Sequence, residues 1–183
     1  MLFSSYDATA SCWRDAGLAD ARPEWTSSLV PGAVAGAAHA MTTTPLVIFQ
    51  RSGRLRAAHV LEGLRPPVIV RDAASYSCFF AVHAALWSAS AAAKERGSPS
   101  AALSGAAAGG AAGVACHAVR FPLQTVYKRG QGWIADADLR PSALAHRFAT
   151  TGVRAGLSAA LAFGVLEVAI GTLDDHAGGA PRR

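Results

Sequence analysis

Apolar residues run along this chain in long blocks, and polar residues gather between them. The blocks 29–50, 73–93 and 97–119 hold no Asp, Glu, Lys or Arg, and 153–173 holds only Arg154 and Glu167. A bilayer core takes roughly 20 mostly apolar residues per helix. A soluble bundle helix shows a polar face every three or four residues, and these blocks show none. The pattern therefore predicts an all-α membrane protein with helices near 29–50, 66–90, 101–129 and 150–173. Four crossings would return both termini to one side. An alanine-rich soluble bundle is the alternative, because alanine and glycine give weak insertion signals.

The blocks belong to a unit that occurs twice. The first copy is Gly32, Gly36, Pro45, Arg71 and Phe80; the second is Gly109, Gly113, Pro122, Arg154 and Phe163. Second glycine to proline is nine residues in both copies, and arginine to phenylalanine is again nine. Each unit holds two long apolar segments, which makes it a repeated membrane hairpin. The expected organisation is a helix end plus polar linker at 1–28, hairpins at 29–95 and 96–175, and a tail at 176–183. Gly32/Gly36 and Gly105/Gly109/Gly113 recur every four residues, so each set shares a helix face where backbones can approach closely. Pro45 and Pro122 lack a backbone donor, so each is expected to kink its helix or to end it.

Composition narrows the chemistry. Half the residues (51%) are hydrophobic and only 16% are charged, too greasy for an ordinary soluble domain. The net charge of +5 is read as loop charge at Arg51, Arg54, Arg56, Lys128, Arg129, Arg140 and Arg147. No basic stripe is interleaved with aromatics, so nucleic acid is not an expected partner. Cys12, Cys78 and Cys116 lack metal-ligand spacing. His39, His83 and His117 fall within apolar segments as bundle-facing polar residues or as proton or ligand groups. There is no Ser/His/Asp arrangement and no phosphate loop, so neither an enzyme nor a cofactor or metal is expected.

Taken in order, several motifs resemble the mitochondrial carrier family. Ala108–Gly113, Phe121-Pro122-Leu123 and Lys128–Gln131 resemble one of its odd-numbered helices, and Gly32 to Pro45-Leu46 repeats that layout. Glu62-Gly63-Leu64-Arg65 resembles the start of the family's matrix helix. Arg71–Tyr76 with Phe79-Phe80 resembles its fourth helix, Arg154 to Glu167 its sixth, and Met1–Asp7 the end of its second. The resemblance covers nearly the whole chain and implies two of the family's three repeats. A missing repeat or a partner chain would complete six helices. It further implies the mitochondrial inner membrane, or another organelle membrane, with lipid around the chain. The implied activity is transport of a small solute by alternating access.

In the family an arginine–acid pair goes with amino-acid-type and carnitine-type substrates. Arg71, Asp72 and Arg154 are therefore the expected substrate contacts in one polar cavity. A guanidinium can hold a carboxylate through two parallel hydrogen bonds, and Asp72 could receive a cation. The two arginines could instead mark the membrane interface. The chain departs from the family at its gates. Val47, Gln50, Gln124 and Tyr127 stand where the matrix-side signature has acids and bases; Ala84 and Trp87 stand in the opposite network. Two other readings stay open. One is a non-transporting carrier homologue; the other is a four-helix, glycine-rich subunit resembling the Tim17/Tim22/Tim23 import family.

Overall fold

A computed structural model describes residues 2–17, 24–54, 61, 65–90, 98–130, 132 and 140–176. Met1, residues 18–23 of the 1–28 segment, Arg56, the acidic-glycine residues 62–64, residues 91–95 at the end of the first hairpin, Gln131 and residues 177–183 of the tail lie outside them. Among the described residues the fold is all-helical, with no strand. The helices are α1 (Leu2–Asp15), α2 (Glu24–Ser27), α3 (Leu29–Ser52), α4 (Pro66–Ala89), α5 (Pro99–Gly130) and α6 (Pro141–His176).

The helix ends follow local chemistry. Prolines open α4, α5 and α6, where a missing N–H costs nothing and φ is already set. Ser98 accepts a hydrogen bond from the Ala101 N–H through its Oγ at 3.1 Å, capping α5. Gly53 closes α3 at φ 66°, a left-handed conformation that favours glycine, and its N–H donates to the Phe49 carbonyl. The sixth helix begins at Pro141, nine residues before the expected start at 150. The stretch 141–152 is mixed in polarity but contains no breaker after Pro141 until Gly152.

Three helical stretches among the described residues are long and apolar enough to cross a membrane: Trp25–Gln50, Pro99–Gly130 and Pro141–Leu173. The expected count of four is thus three by this measure. Helix α4 falls short in hydropathy because it carries Arg71, Asp72 and His83. Length is not the obstacle, since its 24 residues rise about 36 Å. Large apolar side chains face outward along the bundle; Leu103, Val126, Leu161, Val165 and Leu173 are each more than half exposed. Such a surface belongs against lipid or protein rather than water.

Helices α3, α4, α5 and α6 pack in chain order, each on the next, and α1 packs on α3. Small residues and rings make the core: Ala35 and Ala112 are fully buried beside Phe79, Phe80 and Phe163. Phe3 on α1 meets Phe80 on α4 with ring centroids 5.8 Å apart, and Phe163 on α6 at 5.7 Å. Tyr6 stacks on Phe80 at 3.9 Å. Three helices thus converge on one aromatic cluster in the core.

Both hairpins pack in the same register. A Cβ on Gly32 would lie 2.9 Å from the Tyr76 carbonyl oxygen; one on Gly109 would lie 2.9 Å from that of Ala159. Tyr76 and Ala159 each follow their hairpin's arginine by five residues. Gly36 lies directly against the Asp72 backbone, and a Cβ on Gly113 would sit 2.7 Å from the Ala155 carbonyl. Asp72 and Ala155 each follow the arginine by one. Gly105 admits the Glu167 Cγ, which would stand 3.0 Å from an added Cβ.

Candidate solute-binding cleft

The cleft lies beyond the aromatic core, toward the C-terminal ends of α3 and α5 and the N-terminal end of α4. Arg71 donates from Nε to Asp72 Oδ1 at 2.7 Å, and Arg120 Nη2 on α5 stands 3.5 Å from the same oxygen. Asp72 is almost wholly buried because Gly36 lets the α3 backbone close over it. Ser75, also buried, donates its Oγ hydrogen to the Arg71 carbonyl at 2.6 Å and fixes the turn below. One carboxylate is therefore held by two guanidiniums, a charge-assisted arrangement suited to a poorly solvated place.

A cavity of about 360 Å³ adjoins this cluster, between α3, α4 and α5, with Thr43, Thr44, Arg71, Asp72, Arg120 and Lys128 in its wall. A second, of about 520 Å³, lies between α5 and α6, with Arg147 and Thr151 on its far side. Arg120, Gln124 and Lys128 line both. They are spaced four residues apart, so they form one stripe of α5 between two lobes. His117 Nε2 and Thr151 Oγ1, 2.8 Å apart, join α5 to α6 beside the second lobe.

Four cationic side chains line the two lobes, against the single carboxylate of Asp72. Among the described residues Arg71 pairs through Nε and Arg120 through one Nη, leaving further guanidinium donors for a ligand. This lining is predominantly cationic, a chemistry that suits an anion. The Asp72 carboxylate, expected to be open to a cation, meets two arginines in the structure.

The structure brings Arg71 and Asp72 together but not Arg154. That residue is exposed on α6 and lines neither lobe; the second arginine of the cluster is Arg120. Pro45 and Pro122 both lie inside continuous helices, so neither ends one. Each leaves one in-helix carbonyl, that of Met41 or Ala118, without its usual donor. Lys128 and Arg129, read above as loop residues, are in the last turn of α5, and Arg147 is inside α6. Arg120 was absent from the sequence-based set. Its signal was available: it is a lone charge within an apolar segment, two residues before a mid-helix proline. No protein-family model, no curated protein and no solved structure matches this chain.

Proposed function

We propose that this chain is a carrier-like membrane protein that binds small carboxylate-bearing metabolites in the α3–α6 cleft and moves them by alternating access. The observation behind this reading is the pairing of the buried Asp72 with Arg71 and Arg120 at the wall of a two-lobed basic cleft inside long apolar helices. The shared glycine register supports two equivalent hairpins, and the meeting of α1, α4 and α6 at Phe3, Phe80 and Phe163 supports their wrapping around a common axis. On this reading α4 is the fourth span. Its charge is sequestered in protein, as intramembrane charge usually is. The mitochondrial inner membrane is the location the family resemblance implies, and an amino-acid or carnitine type of solute is the class it implies. The matched arginines around Asp72 favour the carboxylate of such a solute as the group recognised.

The test is binding and uptake in proteoliposomes with monocarboxylates, dicarboxylates, amino acids and acylcarnitines. Saturable uptake that weakens with ionic strength and is lost in Arg120→Ala supports the reading. Binding without uptake would favour the non-transporting homologue. The sequential, glycine-lined packing of α3 to α6 keeps the import-subunit reading in view. Absence of any carboxylate binding, with co-purification of a translocating precursor, would favour that reading instead.

A further inference from the structure

The opposite end of the array holds a cavity of different chemistry. It encloses about 500 Å³ where α1, α4 and α6 converge, and its wall includes Phe3, Asp7, His83, Trp87, Phe163 and Glu167. No lysine or arginine among the described residues lines it. Glu167 is 93% buried, its relative exposure being 7%, and its Oε2 has no hydrogen-bond partner among the described residues. His83 Nε2 is likewise buried without a partner. The rings form a continuous wall: His83 and Phe163 centroids are 4.1 Å apart, Phe3 and Phe163 5.7 Å, and His83 and Trp87 6.3 Å.

A carboxylate in such a place calls for a cation, since an unpaired buried charge is costly. Aromatic faces attract cations through their quadrupole, and cages of rings with an acid are a recurrent solution for ammonium groups. A bare metal ion would want more oxygen ligands than two carboxylates supply. We propose that this cavity is a binding site for an organic ammonium ion, with Glu167 as its buried counter-ion, Asp7 at its exposed rim and Phe3, Trp87 and Phe163 against the alkyl groups. The site is separate from the basic cleft. Along α4, His83 lies twelve residues from Arg71, a rise of about 18 Å. It does not depend on the carrier reading.

The experiment is calorimetric titration of the full chain in lipid nanodiscs with choline and tetramethylammonium, at fixed ionic strength. The control is 3,3-dimethylbutanol, a neutral compound of the same shape as choline. Choline should bind, and dimethylbutanol should bind at least tenfold more weakly. Glu167→Gln, which keeps the shape, should weaken choline at least tenfold with an unchanged melting temperature, and Glu167→Asp should recover part of that. Asp7→Asn, at the rim and unable to unsettle the core, should weaken it two- to fivefold. Equal binding of choline and dimethylbutanol would overturn the proposal by showing an apolar cavity without charge selection. So would absence of choline binding, or binding unaltered in both Glu167→Gln and Asp7→Asn.

Discussion

In the hairpin α3–α4 the residue beneath the second glycine is Asp72; in α5–α6 the residue at the equivalent place is Ala155. The two hairpins share glycine spacing, proline position and helix register, yet that one side chain divides their chemistry. Asp72 draws Arg71 inward and recruits Arg120 from the neighbouring hairpin. Ala155 offers nothing to Arg154, which stays exposed and without an ion pair among the described residues. Close backbone packing is thus one layer of information in this chain, and charge placement is a second layer written over it.

The largest expected effect breaks the first hairpin at that point. Asp72→Ala removes the buried carboxylate that Arg71 and Arg120 share and leaves two partly exposed guanidiniums facing the cleft. With the remaining arginines in reach of solvent, the loss is that of the charge-assisted hydrogen bonds, about 1.5–3 kcal/mol. The measurement is unfolding in detergent micelles by denaturant titration. A loss below about 1 kcal/mol would show that Asp72 is far better solvated than its burial indicates.

Next come the glycines, where the comparison predicts similarity rather than difference. Gly36→Leu and Gly113→Leu each drive a side chain into the backbone of the adjoining helix. Overpacking of this kind costs about 1–3 kcal/mol, and more where the obstacle is rigid main chain. Gly36→Leu should be the worse of the two, because it also displaces Asp72. Gly130→Leu is the control for size alone, because nothing lies within 4 Å of a Cβ there and its φ is not positive. If Gly113→Leu assembles and melts like the wild type, the shared register carries no packing energy.

How much of this was readable beforehand follows the same division. Helix existence and the glycine faces depend on spacing within one segment, and four-residue recurrence states them directly. The start of α6 was missed because a polar stretch within a helix looks like a loop when only apolar runs are followed. The pairing of Asp72 with Arg120 is a contact between hairpins, and nothing in either segment's period encodes which residues meet. Arg71 and Arg154 were grouped because the repeat makes them equivalent. Equivalence under a repeat gives corresponding places, and it does not bring two side chains to one cavity.

Solute recognition sharpens the comparison further. Arg71→Ala and Arg120→Ala should each weaken carboxylate binding by about ten- to a hundredfold, as loss of a charge-assisted contact at a desolvated site does. Arg154→Ala should change it by less than about threefold, since screened charge outside a cleft acts weakly. Lysine at 71 should recover only part of the affinity, because it cannot make the bidentate contact. Equal losses in Arg71→Ala and Arg154→Ala would return Arg154 to the site and reject the boundary drawn here.

The smallest expected effect is the most direct test of what Asp72 contributes. Ala155→Asp writes the first hairpin's acid into the second, at the same place relative to glycine and arginine. Ala155 is half-buried and Arg154 is exposed, so an ion pair formed there is largely solvated. Pairs of that kind contribute about 0–1 kcal/mol. The new acid also has no counterpart to Arg120, whose guanidinium reaches Asp72 from the next helix. Stability should therefore shift by less than about 1 kcal/mol, with a salt dependence that the wild type lacks. A gain well above that would mean the second hairpin can bury the pair as the first does. Register alone would then suffice to build the charged cluster, with no contribution from the neighbouring helix.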